Sequence, residues 1–360
     1  MTEMRAIQIQ QGAVFEEGST KESTVPISFG NDAAAVQAAR SGVAVCDRSH
    51  WGRIQLGGND RLSFLHNQST NDFKRLKPGE GCDTVFVTST ARTIDLATAY
   101  ILDETVLVLL SPNRREALLK WLDRYIFFGD KVTLTDLTEQ TVTFSLIGSE
   151  STTLLQRLGV DDRSEQPYGS HWLATLAGQT VRIALGSGLT LEGYTLTADR
   201  AIAATVWQHL TDAGALPLGD RVWERLRIEQ GRPAPDHELT DDYNPLEAGL
   251  WQTISFNKGC YIGQETIARL DTYKGVKQQL WGIRLSNANA GTIATGTIIT
   301  VGGEKVGTLT SLAETEQGIF GLAYIRTKAG GAGLHVQIGE TEGDLVDVPF
   351  VTHARLDDRP

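Results

Sequence analysis

Apolar and polar residues alternate in short runs from residue 279 to residue 353, with glycine pairs at Gly302-Gly303 and Gly330-Gly331 and no helical stripe. The pattern predicts a small closed β unit of about six strands. Upstream the periods are mixed. Residues 84–88, 94–102 and 105–110 predict a strand meander, and Ser111-Pro112 predicts a helix start, with serine as the cap and proline in the first turn. Leu118, Leu119, Leu122, Tyr125 and Ile126 then mark one buried helical face. Strands at 131–137, 141–147, 172–176, 180–185 and 193–197 follow, with helices after residue 150 and over 199–212. Asp220 is expected to cap a helix over 221–230 that stops at Gly231. Strand and helix blocks thus occur twice, around 50–137 and 141–230, which predicts two α+β units rather than a doubly wound sheet.

At 360 residues the chain is longer than one core usually serves, so two or three units are expected. A net charge of -11 argues against direct nucleic-acid or anionic-membrane partners, because either is repelled at long range. The three cysteines, Cys46, Cys82 and Cys260, form no CxxC pair, which suggests a reducing compartment and supplies no conventional zinc or iron–sulfur ligand set. The seven histidines are scattered, and no metal site follows from their spacing. The opening MTEMRAIQIQQG lacks a basic segment followed by an apolar one, and no run nears the ~20 apolar residues of a membrane span, so the expected location is cytoplasmic.

The densest chemistry lies in residues 244–269, NPLEAGLWQTISFNKGCYIGQETIAR. Cys260 follows the turn Asn257-Lys258-Gly259 and precedes Gly263 and a short helix over 264–270. A thiol ahead of a helix N-terminus with Lys258 near in sequence has its thiolate favoured, whereas most free cysteines are buried small hydrophobes; both readings stay open. Glu229 stands at a helix end, against the macrodipole, and reads either as a solvated acid or as a cleft carboxylate. Asp95 interrupts an apolar strand, as an edge residue or a site carboxylate. His50, in the polar turn 47–52, is a backbone-bonding residue or a chemical one. There is no GxGxxG at a strand-to-helix turn, no GxxxxGK[ST], no HExxH and no GxSxG, so nucleotide, zincin and hydrolase readings lack support.

With those residues in hand, the chain resembles the folate-binding YgfZ-type proteins, relatives of the glycine-cleavage T-protein, an aminomethyltransferase. The signature K-G-C-Y-x-G-Q-E stands in full as Lys258, Gly259, Cys260, Tyr261, Gly263, Gln264 and Glu265. VAVCDRSHWGRIQLGGNDRLSFLHNQSTNDFKRLKPG, RLRIEQGRP and NPLEAGL sit in the expected order, and the likeness runs from about Phe29 to the end. It implies a three-lobed ring around a folate cavity. One α+β lobe would take 1–46 with about 140–240, a second 47–139, with a motif segment and linker over 241–275 and a C-terminal β-barrel over 276–360. The resemblance implies tetrahydrofolate or a derivative as cofactor, with Glu229 gripping the pterin and with Arg232 and Arg269 meeting its anionic tail. A carboxylate can accept two parallel hydrogen bonds from a pterin edge.

Aminomethyltransferases carry two adjacent aspartates, the second catalytic; here Asp95 matches the first and Leu96 stands where the second would be. Residues 186–194 read GSGLTLEGY and lack the GYTGEDG pattern. The leading expectation is therefore a tetrahydrofolate-binding protein that supports iron–sulfur cluster assembly or repair, with Cys260 as its functional thiol and iron–sulfur enzymes or cluster-assembly proteins as partners. The alternatives are a folate-dependent one-carbon transferase using Asp95 or His50, and a folate-sensing adaptor without chemistry.

Overall fold

Alternating burial along six strands closes the C-terminal region into a barrel. In barrel order these are Gln278–Ser286, Gly318–Arg326, Glu304–Thr315, Ile298–Val301, His335–Ile338 and Thr341–Val346, the last pairing back onto the first. Ile283, Leu285, Ile299, Leu309, Ile325, Val336, Ile338 and Leu345 fill its core, while Arg284, between two of them, points to solvent. The expected β unit is therefore present, with the expected number of strands. The computed structural model describes residues 2–16, 24–286 and 293–355, so residues 287–292 of that stretch lie outside it.

The chain divides into two units, one of Met1–Leu62, Arg75–Asp83 and Ala97–Trp223, the other of Ser63–Lys74, Thr84–Leu96 and Glu224–Pro360. In the first, a six-stranded sheet runs Leu216–Leu218, Ala44–Asp47, Thr141–Ile147, Gly193–Asp199, Gln179–Leu185, His171–Leu176. Only its first pair is parallel. Trp207, on the helix Ala203–Asp212, is fully buried against this sheet between the rings of Phe29 and Phe144, and its indole N–H donates to Gln11 Oε1 at 2.8 Å. A five-stranded sheet runs Gly81–Val87, Thr93–Ile101, Val106–Leu110, Gly52–Gly57, Thr133–Asp136. The mixed α+β class is thus the one observed.

Several local expectations are corrected. The helix expected from Ser111-Pro112 begins at Arg115 and ends at Asp123, because Asn113 adopts a left-handed φ of 63° that a helix cannot contain. Its buried face is accordingly narrower: Leu118 and Leu122 are core, while Tyr125 and Ile126 lie beyond the last turn. Asp220 is the first residue of the helix Asp220–Gln230 rather than its cap. A helix over Glu3–Gln10 and the short strand Leu216–Leu218 had no counterpart in the pattern analysis.

In the second unit a buried ionic network ties the helix Asp220–Gln230 and the proline-rich segment after it to the barrel. Arg227 Nη1 donates to Glu238 Oε2 at 2.8 Å, with side chains 3% and 0% exposed. Arg227 also reaches Glu224 and Ser311 Oγ, and Ser311 donates to Glu238 Oε1 at 2.6 Å. The backbone N–H of Ala234 supplies a further donor to Glu238 at 3.1 Å, so the buried carboxylate is well satisfied. Tyr324 O–H donates to the Glu238 carbonyl at 2.8 Å and stacks on Tyr243 with ring centroids 3.5 Å apart. Removing one side of a buried pair leaves the other charge desolvated. Glu238→Ala is expected to lower the unfolding free energy by about 3–5 kcal/mol in urea titrations; a change below about 0.5 kcal/mol would show that Glu224 alone satisfies Arg227.

Candidate functional site

The signature segment is built around its lysine. Lys258 is 7% exposed, and its ammonium donates to the main-chain carbonyls of His66, Ser69 and Asn71 at 2.5, 2.6 and 2.6 Å. Three carbonyls match the three donors of an ammonium. They belong to the last turn of the helix Arg61–Gln68 and the chain leaving it, where backbone acceptors lack helical partners, so Lys258 acts as a side-chain cap from almost two hundred residues away. The ring of Tyr261 lies 4.5 Å from the ammonium, and burial holds its phenol above the usual range. Two backbone bonds continue the seam: Ser255 N–H to Thr70 O and Ile262 N–H to Asn67 O, both 3.0 Å.

Gly263 turns this segment into the helix Gln264–Thr272 at a φ of 80°, and a Cβ there would sit 2.8 Å from Thr88 O and 3.0 Å from Val87 Cγ2. No other residue fits without displacing the strand Gly81–Val87. Gln264 Oε1 accepts from Tyr261 N–H at 3.3 Å, Glu265 lies exposed in the first turn, and Gly259 carries no steric demand. Cys260, between these fixed points, is exposed. Of the two readings of this thiol, burial in a core is excluded.

His66, which sequence reasoning passed over, belongs to the same cluster. The residue is 4% exposed, Nδ1 lies 3.0 Å from Asp72 Oδ1 outside hydrogen-bond geometry, and Nε2 faces Gly259, 3.8 Å from where a Cβ would be. Burial, then the charge of Lys258, pushes its pKa below the usual histidine value, and Asp72 offsets this only in part. Its only sequence signal was a histidine heading the polar tract Asn67 to Asp72.

Glu229 forms a separate cluster. It is 13% exposed on its helix and accepts from Arg225 Nε at 3.0 Å one turn back, and Arg225 also pairs with Glu316. Arg232 is buried, its guanidinium 5.3 Å over the Phe350 ring, and Arg269 lies on the exposed side of its helix. In the other unit His50 Nε2 lies 3.7 Å from Asp220 Oδ1, and burial, with Arg48 and Arg53, drives its pKa down to about 3, which makes it a poor proton acceptor.

A family model described as the GCVT N-terminal domain matches residues 4–258. The chain belongs to this family. Aminomethyltransferases of Rubrobacter xylanophilus and Desulforamulus reducens are 29% and 30% identical to it, over 92% and 87% of this chain and 90% and 87% of theirs. A chloroplastic Arabidopsis thaliana protein named "putative transferase" is 46% identical over 93% of this chain and 77% of its own length. The crystal structure of glycine cleavage system aminomethyltransferase T from Bartonella henselae matches with a TM-score of 0.85 over 98% of both chains at 18% identity, which establishes the T-protein fold. No helix among the described residues is long and apolar enough to cross a membrane.

On this GCVT fold position 96 lies inside the core. Leu96 is fully buried in an apolar cluster with Val85, Val87, Ile228, Leu250, Leu280 and Leu322. Asp95 falls on the opposite face of the strand and is fully buried too. Among the described residues no group of three or more histidine, cysteine or acidic side chains is arranged to hold a metal. The lysine cage generates a prediction. Lys258→Met leaves three carbonyls short of a donor and is expected to cost about 3 kcal/mol in urea unfolding. A stability within about 0.5 kcal/mol of wild type would mean that the cage does not hold the segment.

Proposed function

We propose that this GCVT-family chain binds tetrahydrofolate or a derivative and supports iron–sulfur cluster assembly or repair in a reducing cytoplasm, with Cys260 as its functional thiol and iron–sulfur enzymes or cluster-assembly proteins as partners. The observation that carries this reading is the exposed Cys260 on a segment made rigid by the Lys258 cage. Leu96 supports it from the other side, since an apolar side chain in a core can neither hold a charged folate nitrogen nor move a proton.

Glu229 fits a pterin. A carboxylate has about four lone-pair sites, so one held by Arg225 keeps acceptor capacity for a ring N–H and an amino group. Arg225 would orient it, and Arg269 offers an exposed cation to an anionic tail; a tail reaching Arg232 would have to enter the interior. When bound, the folate would supply one-carbon carrier chemistry or serve as a signal of its own abundance.

Calorimetric titration with tetrahydrofolate should show binding by wild type and weakening of about 10- to 100-fold in Glu229→Gln, the loss of charge-assisted hydrogen bonds. No binding by wild type would remove the folate reading altogether. In cells lacking the native gene, Cys260→Ala should fail to restore iron–sulfur enzyme activity, whereas rescue equal to wild type would overturn the thiol role.

A second reading, folate-dependent aminomethyl transfer, is favoured by the names of the bacterial relatives. It would have to run on the buried Asp95, whose neighbour in sequence is Leu96 rather than a carboxylic acid. Turnover of an aminomethyl donor with tetrahydrofolate, abolished by Asp95→Asn, would promote it over the first.

A further inference from the structure

The arginine that holds Glu229 is shared with a second acid. Arg225 and Glu229 lie one turn apart on the helix Asp220–Gln230, with side chains 16% and 13% exposed, and Arg225 Nε donates to Glu229 Oε1 at 3.0 Å. Nη2 of the same guanidinium donates to Glu316 Oε2. The Nε–H and the adjacent Nη2–H are parallel donors, spaced to take both oxygens of one carboxylate. Here that fork is split between two carboxylates, so Arg225 holds Glu229 by a single oxygen. Glu316 is anchored for this task. It opens the two-residue loop between the barrel strands Glu304–Thr315 and Gly318–Arg326, where Thr315 pairs with Gly318. Thr315 Oγ1 donates to Gly318 O at 2.7 Å and accepts from Gln317 N–H at 3.1 Å, and Gly318 takes a φ of 108° that would strain any side chain. Helix and hairpin both belong to the second unit.

We propose that Glu316 is a positioning residue for the pterin acceptor: by keeping one prong of Arg225 for itself, it stops the guanidinium from closing on both oxygens of Glu229. The inference rests on the reading of Glu229 as the folate carboxylate and assigns the group that keeps the arginine from competing with the ligand. A pterin edge offers a ring N–H and an amino group side by side, the same parallel pair of donors as an arginine fork. Ligand and arginine therefore contend for one carboxylate, and an arginine one helical turn away is always within reach of it. A third group that draws off one of its donors tips that contest toward the ligand. Glu316 does so from the barrel hairpin, acting through Arg225 rather than on the pterin.

Calorimetric titration with tetrahydrofolate tests this as a double-mutant cycle. Glu316→Ala should weaken binding about tenfold, the order expected when one charge-assisted hydrogen bond of the ligand is lost. Glu316→Gln keeps an oxygen that can accept from Nη2 and should stay within about threefold of wild type. In an Arg225→Met background there is no fork to divide, so Glu316→Ala should have no further effect. Affinity of Glu316→Ala within about twofold of wild type, or the same loss in both backgrounds, overturns the proposal. Glu316→Ser, with the same expected outcomes, stands in should the alanine variant not fold. Wild type and Glu229→Gln keep the two readings apart. No binding by wild type, or undiminished binding by Glu229→Gln, sinks the pterin reading of Glu229 and the positioning role with it, whereas binding that needs Glu229 yet ignores Glu316 sinks the positioning role alone.

Discussion

An ammonium buried among carbonyls is the constraint on which the rest of the signature depends. Lys258 gives up water on entering the interior, and three close carbonyls replace it, so charge-assisted bonds offset the desolvation cost. Because the acceptors are main chain, they cannot titrate away. The cage joins segment 66–71 to segment 258–262, and from that junction follow the exposed setting of Cys260 and the placement of His66 beside Gly259. Gly263 completes the geometry by turning the chain into a helix where a side chain would strike the Thr88 carbonyl.

Features that rest on local periodicity were legible in the chain. The barrel was, because alternating burial and glycine turns leave a mark within a few residues of each strand. The strand Thr141–Ile147 was read to its ends. Failures came where one residue's backbone overrode a good local signal, as Asn113 does after Ser111-Pro112. Strand Leu216–Leu218 was missed because a three-residue strand with a central proline is held by its parallel neighbour Ala44–Asp47, not by its own composition.

The site was half legible. Chemistry-bearing residues of the signature sit within eight positions, and family resemblance ordered them. What they do was not, since the role of Lys258 is defined by carbonyls, which carry no residue identity. Proximity in sequence suggested that Lys258 would act on the neighbouring thiol. Its three short bonds instead go to segment 66–71. His66 meets Gly259 only once the chain has doubled back, and its place at the head of a polar tract does not foretell that neighbour.

Leu96 has a further bearing on how this chain can change. Its side chain is one of the surfaces against which Val85, Val87, Ile228 and Leu322 are packed, so an aspartate placed there would enter an apolar interior. A carboxylate in such surroundings is either driven neutral or destabilises the fold. A carboxylate at position 96 would therefore need several of these neighbours to be replaced together.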